Sequence, residues 1–503
     1  MNLKRLTCVT VLLRSLAGLS CISEATAANW PAFRGPAASG LAQGAKPPIY
    51  FGPASNLLWQ VELPKGNSSP VVWDDALFAT AAQEQRMITL CVDRRTGNKR
   101  WQKDVAVEKL ERVHQMNSLA SPTPVTDGAA VYVYFGSFGL LAYGLDGKEL
   151  WRRPLPIPKT FRDQGTGTSP VLADGKLVLF VQLGDDSFLL ALNPRDGHEL
   201  WRTPMPKFNL SYSTPVCWDE AGNGCVGLSC ADRFTAFRLA DGKEAWWAAG
   251  SGYQACSTPV ASGQHLIIAV AGVQGEPANI TLPPPFDEFS SKYDSNHDGL
   301  ISFEEIPSDM LYTDRHNSDG QGNMTLRQAL TWFGGMKKEE KLNRTRWEQA
   351  VAGLREFSEH RINATVIMSV RTGGTNDVSA SHVVWKETKA VPEVPSPLVW
   401  QGRVYLIRSG GNLACRELDT GKLVYEKQTE SRGGYFASPV AADGRIYLAS
   451  DRGTVTVIKA GDTFEVLARN ELKDRIMASP AIVDRTIYIR SAKQLWAFGE
   501  SGS

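Results

Sequence analysis

Residues 294–305, DSNHDGLISFEE, set oxygen-bearing side chains at alternating positions and close on a glutamate. Calcium is a hard cation that takes about six to eight oxygens, and an EF-hand loop delivers them from such positions, ending on a carboxylate that binds through both oxygens. Asp294, Asn296 and Asp298 would supply the first three donors, Leu300 a main-chain carbonyl, Ser302 a hydroxyl and Glu305 the bidentate carboxylate. Gly299 stands at the sharp turn and Ile301 at the apolar position. A Ca2+ site is therefore expected on these six residues. A second loop at 317–328, NSDGQGNMTLRQ, carries Gly322 and Met324 in the matching places, but its polar residues are Asn317, Asp319, Gln321, Asn323 and Gln328. Gln328 cannot replace a bidentate glutamate, so this loop is expected to pair with the first and to bind calcium weakly or not at all. A stabilising role suits such a site better than sensing, because calcium outside the cell keeps even a site of ~10⁻⁴ M filled.

The loops sit between helical stretches, PFDEFSSKY and MKKEEKLNRTRWEQAVAGLREF, in a chain that otherwise alternates apolar and polar residues. Ser/Thr-Pro pairs open apolar runs at Pro70, Pro122, Pro170, Pro215, Pro259, Pro397, Pro439 and Pro480, spaced 52, 48, 45, 44, 138, 42 and 41 residues apart. A period in the forties made of short strands is the signature of a β-propeller with one four-stranded blade per repeat. The fold class expected is all-β, an eight-bladed β-propeller. Each repeat also holds a strand, an Asp-Gly or Thr-Gly turn and a second strand, with Trp101, Trp151, Trp201, Trp246 or Tyr425 four residues after the glycine. One large flat residue per blade points to packing between neighbours. The last copy lacks a fourth strand and NLLWQVELP (56–64) lacks a partner, so the N-terminal strand is expected to complete the eighth blade.

The D-x-x-T-G-x-x-x-W phrase, the Ser/Thr-Pro openings and WPAFRGP (Trp30 to Pro36) resemble the pyrroloquinoline-quinone-like propeller family. The likeness reaches nearly everything outside 273–362 and implies the fold more strongly than a function, since that family holds quinoprotein dehydrogenases and an outer-membrane assembly lipoprotein. It implies that a quinone, if bound, would lie at one mouth of the ring. The adjacent cysteine pair that commonly backs the quinone is missing, as is a CxxCH haem attachment site. Pyrroloquinoline quinone is thus possible but not favoured.

The spacing of 138 where 44 is typical means that about 94 residues enter blade five. The organisation expected is a signal peptide (1–27), the closing strand and first blades (28–272), a helical EF-hand insert (273–362) and the remaining blades (363–503). Residues 1–27 combine Lys4-Arg5, an apolar stretch and Ala25-Thr26-Ala27, which reads as an export signal for the periplasm or beyond. The alternative is a lipid anchor on Cys21. No later segment reaches the ~20 apolar residues of a membrane span. With 43% hydrophobic residues, 21% charged and a net charge of +1, composition supports a large core and offers nothing to nucleic acid. Of the cysteines, Cys217 and Cys225 flank a Gly-rich turn and could face each other across a hairpin, while Cys91 and Cys415 occupy a small-residue packing slot.

HExxH, CxxC, GxSxG and phosphate-loop signatures are all missing from the sequence. The segments before each Ser/Thr-Pro should converge around the channel, and Arg162, Asp163, Tyr253, Gln254, Arg432, Tyr435 and Arg475 are the candidates for a ligand pocket there. The function expected is a calcium-binding scaffold for a protein or glycan partner. The alternative is a quinone-dependent oxidoreductase working in the central pocket.

Overall fold

Proline locks its own φ and drives the residue before it into extended backbone, so each Ser/Thr-Pro pair launches a short innermost strand. A tight turn then reverses the chain, as at Asp74 (φ 48°) between Val71–Trp73 and Ala76–Gln83. Two further antiparallel strands, Arg86–Asp93 and Lys99–Ala106, complete the first blade. The computed structural model describes residues 29–205, 211–230, 232–252, 254–271, 280–314, 323–362 and 365–500. Within them the chain forms the eight-bladed β-propeller that the repeats predict. The expected export signal, 1–27, and Cys21 lie outside the described residues.

The innermost strands are fastened by a closed belt of hydrogen bonds through the residues that precede proline. Ser69 N–H donates to Thr123 Oγ1 at 3.0 Å, Thr123 to Ser169 Oγ at 2.9 Å, Ser169 to Thr214 Oγ1 at 3.0 Å and Thr214 to Thr258 Oγ1 at 3.2 Å. Thr258 donates to Ser396 Oγ at 3.0 Å, Ser396 to Ser438 Oγ at 3.0 Å and Ser438 to Ser479 Oγ at 2.8 Å. Ser479 returns to Ser69 Oγ at 3.1 Å and closes the ring. Every blade so far apart in sequence is tied to the next by one main-chain donor and one hydroxyl. The belt corrects the expected start of the second repeat. Thr123-Pro124, not Ser121-Pro122, leads into the strand Val125–Thr126, and the Pro122 carbonyl instead accepts from Thr80 Oγ1 at 3.2 Å.

The per-blade tryptophans make a second ring further out. Trp101 donates its indole N–H to Leu145 O at 2.8 Å, Trp151 to Pro194 O at 2.8 Å and Trp201 to Leu239 O at 2.9 Å, each in the turn of the following blade. The glycine of that turn is needed twice over. Gly197 has φ 71°, and a Cβ there would lie 2.8 Å from the Trp151 ring. Trp246 departs from the rule and donates to Glu220 Oε1 of its own blade at 3.1 Å. Its neighbour, blade five, has no Asp-Gly hairpin at that place: a longer connection lays Asn376–Asp377 parallel against the outer strand Glu244–Ala249 of blade four.

Ring closure follows expectation. Leu57–Glu62 pairs antiparallel with Gln494–Gly499 to complete blade eight. Arg490, 1% exposed, locks it to blade one by donating to Thr80 O at 2.5 Å, Ser68 Oγ at 2.6 Å and Pro64 O at 3.2 Å. The preceding segment was not anticipated as a structural part. Trp30 exchanges main-chain bonds of 2.9 Å with Val72, Pro31 O accepts from Thr126 N at 2.9 Å, and Arg34 Nη2 reaches Pro397 O at 2.5 Å. Ala42 and Gly40 then bond Ala441, and Lys46 N bonds Asp484 O at 2.7 Å. Residues 30–46 therefore cross from blades one and two to blades six, seven and eight.

Among the described residues, three α-helices lie between strands His265–Val270 and Val366–Arg371 of blade five: α1 (Phe286–Tyr293), α2 (Leu326–Trp332) and α3 (Arg344–Ile362). They build a separate apolar cluster in which Phe289, Ile301, Tyr312, Leu330, Trp347 and Leu354 are buried together. Among the described residues, Ile301 of the first loop and Met324 of the second do not pair with each other. Ile301 bridges Leu342, while Met324 and Thr325 pair with Thr313 and Leu311. Gln328, the residue that fails as a calcium ligand, completes a capping box with Thr325 at the start of α2. Most of the second loop lies outside the described residues.

Cys217 and Cys225 do not bridge. The hairpin pairs Cys217 with Val226 and Trp218 with Cys225, and this offset of one residue turns the two thiols to opposite faces of the sheet. Burial pushes the thiols of Cys91 and Cys415 up to about 12 and about 11, in keeping with packing rather than reactivity.

Candidate binding pocket and calcium loop

A cavity of about 380 Å³ occupies the centre of the ring. All eight belt residues line it. Phe33, from the crossing N-terminal segment, lines it as well. That segment meets the innermost strands after their prolines, at Val72 and Thr126, whereas the rim loops lie before the prolines. Phe33 thus approaches from the end opposite the rim and gives the pocket a floor.

The rim is built from loops of successive blades. Asn117 Nδ2 donates to Gln164 O at 2.9 Å and Thr166 O at 3.2 Å, which pins the blade-one loop to the blade-two loop. Beneath them Glu111, 4% exposed, accepts from Thr166 N at 3.0 Å and Thr166 Oγ1 at 2.7 Å. Burial raises the Glu111 carboxyl to about 7 despite those bonds. Gln254 is 6% exposed, gives its amide to Gln164 Oε1 at 2.8 Å, and keeps its own Oε1 without a partner. Phe436 and Tyr212 add aromatic wall, and among the described residues Glu393 is the single carboxylate lining the cavity. Among the described residues, neither Lys nor Arg lines it. Burial pushes the Cys256 thiol up to about 12, so at neutral pH it is protonated and a poor nucleophile.

The residues singled out from sequence fare unequally. Gln254 lines the cavity. Arg475 lines a smaller hollow beside it, its Nη2 lying 3.1 Å from Met116 Sδ. Asp163 faces solvent and pairs with Arg112 at 3.0 Å, and Arg432 is exposed. Tyr435, 1% exposed, is packed between blades and donates to Ser431 O at 3.1 Å, leaving Phe436 to face the cavity. Tyr253 and the side chain of Arg162 lie outside the described residues. The belt hydroxyls were overlooked although their signal was plain: a Ser or Thr stands before the proline in every repeat, and served only as a marker of the period.

Pyrroloquinoline quinone is a tricarboxylate, and carboxylates taken out of water need cationic or strong donor partners. Among the described residues the cavity is lined by one carboxylate, Glu393, and one imidazole, His114, and by neither Lys nor Arg, a set poor in counter-charge for a tricarboxylate.

In the helical insert, Gly299 (φ 74°) makes the turn and its N–H donates to Asp294 Oδ2 at 2.9 Å. Asn296 Oδ1 accepts from Asp298 N at 2.9 Å. Glu305 accepts from Ser302 N and Oγ, both at 2.8 Å, and from Ser295 N at 3.0 Å. Carboxylates, an amide, a hydroxyl and the Leu300 carbonyl suit a hard cation in kind and number. One of them is engaged: Lys341 Nζ lies 2.6 Å from Asp298 Oδ2 and holds that carboxyl below its usual range. Among the described residues no three His, Cys, Asp or Glu side chains yet stand close enough together to hold a metal.

Residues 54–184, about a quarter of the chain, match the family described as outer membrane protein assembly factor BamB. Among solved structures, BamB from Moraxella catarrhalis is similar over 89% of this chain and 98% of its own, at 12% identity and a TM-score of 0.53. A computationally designed protein, Ika8, covers 88% of this chain and 100% of its own at 10% identity, with a TM-score of 0.52. A quinohemoprotein alcohol dehydrogenase from Pseudomonas putida covers 95% and 81% at 12% identity, but its TM-score of 0.39 carries no argument. No curated protein matches the chain in sequence. At these identities the likeness is one of fold.

Proposed function

Because the chain is a PQQ-like β-propeller, we propose that it is an exported, calcium-binding module that captures a protein or glycan partner at the open mouth of its central pocket. The observation that carries this reading is the pocket itself, with Phe33 at one end and the eight belt residues together with the amides of Asn67, Asn117, Gln164 and Gln254 around it. The position of the insert supports it. Ala271, which follows the strand His265–Val270 and leads toward the helical insert, lines the pocket. The described residues contain no helix long and apolar enough to cross a membrane.

Calcium would be held by Asp294, Asn296, Asp298, the Leu300 carbonyl, Ser302 and Glu305, and would have to draw Asp298 away from Lys341. Its role in this reading is to brace the short helices of the insert.

The test is photo-crosslinking from Met477 at the mouth, with Asp443 on the opposite face as control, in the cell envelope of the native host. A partner trapped from Met477 and not from Asp443 is expected. Equal labelling from both positions, or none, would sink the reading.

A further inference from the structure

The lining of the pocket points beyond a binding site in general to one class of ligand. We infer that the cavity takes a single neutral sugar ring, the end of a glycan chain, and this rests on the binding-module reading above. A hydroxyl has one proton to donate and two lone pairs. Each belt hydroxyl spends a lone pair on the main-chain N–H of the preceding blade and retains its proton, so the belt presents a circle of O–H donors to the cavity. The complementary acceptor is present too. Gln254 Oε1 is buried at the wall without a hydrogen-bond partner, a state that a bound hydroxyl relieves.

The remaining chemistry narrows the ligand. A sugar offers ring hydroxyls that both give and accept bonds, and C–H faces that lie against aromatic rings such as Phe33 and Phe436. An anionic ligand would enter a cavity whose described lining holds His114 but neither Lys nor Arg, and would meet the Glu393 carboxylate there. The volume of about 380 Å³ lies near the small end of ligand pockets, which span ~300–1,000 Å³. The Phe33 floor means that a chain cannot thread through the ring. What fits is a terminus.

The experiment is a calorimetric titration of the mature full chain with glucose, galactose, N-acetylglucosamine and maltose, with glucuronate as the anionic counterpart of glucose. Gln254→Leu removes the unpartnered acceptor, and Met477→Trp fills the mouth; thermal melting verifies that both variants fold. Saturable binding of at least one neutral sugar is expected, weakened about tenfold or more by Gln254→Leu, abolished by Met477→Trp, and absent for glucuronate. The inference is overturned if no neutral sugar saturates, if glucuronate binds more tightly than glucose, or if sugar binding survives both substitutions. A protein crosslinked at Met477 in the absence of sugar binding would overturn this inference while leaving the binding-module reading intact.

Discussion

Glu111 shows how one buried side chain ties the rim together at a cost. Its carboxyl is raised from 4.5 to about 7 by burial, so between those values the folded chain holds the proton more tightly than the unfolded chain does. The contribution of Glu111 to stability is therefore fully present below pH 4.5, falls as the pH rises toward 7, and levels off above. Glu111→Gln keeps an oxygen for Thr166 and removes the charge. At pH 8 it should stabilise the protein by on the order of 1–3 kcal/mol while changing little at pH 4.5, as read from denaturant midpoints. A difference between the two proteins that is the same at pH 4.5 and pH 8 would refute the argument. Lys341 makes the opposite case on the surface, where its ammonium stands in for a cation at Asp298. Lys341→Gln should tighten calcium several-fold in a calorimetric titration of the metal-stripped protein. Unchanged affinity would mean that Lys341 leaves Asp298 without cost.

At the scale of elements, the turn that follows the third strand carries the inter-blade contact in blades one to four and six. Gly197→Ala has to place a side chain in left-handed backbone and against the Trp151 ring, whereas Gly175, with φ 66°, has nothing within 4 Å of its Cβ position. Both substitutions share the backbone penalty of ~1–2 kcal/mol, so the excess loss in Gly197→Ala isolates the contact with tryptophan. About 1–3 kcal/mol of excess is expected in chemical denaturation. Equal losses would show that the ring relaxes freely. The indole period was legible from sequence because the turn, the glycine and the aromatic residue lie within one local phrase. Trp246 broke the pattern for a reason no local phrase contains, since its missing partner belongs to the following blade.

At the scale of the whole molecule, the ring is closed at two levels, by Leu57–Glu62 on blade eight and by residues 30–46 across the floor. A chain that starts at residue 66 should lose both, baring the strand Gln494–Gly499 as an open edge. Self-association in sedimentation, together with loss of a single cooperative melt, is the expected result. A monomeric, cooperatively folding truncation would show that the belt alone closes the ring. The Arg490 anchor also belongs to this scale. Arg490→Met removes the guanidinium donors to Thr80 O, Ser68 Oγ and Pro64 O in the seam between first and last blades, and should cost on the order of 3 kcal/mol, read by denaturant unfolding.

The sequence by itself determined the strand period, the number of blades, the strand borrowed from the N-terminus and the oxygen donors of the loop at 294–305, because proline, glycine turns and alternation act on neighbours along the chain. Tertiary structure decided which residues meet at the centre. The belt joins hydroxyls from eight separate repeats, and only closure of the ring brings Ser479 back to Ser69. Register decided the rest: a shift of one residue parts Cys217 from Cys225, and Ile301 finds Leu342 rather than the second loop. Local patterning sets the phase of a strand, but which strand it faces, and at what offset, follows from packing of segments that are distant in sequence. The floor of the pocket is the clearest case. Nothing near Phe33 in sequence reveals that its segment spans the ring, because its partners lie in blades one, two, six, seven and eight.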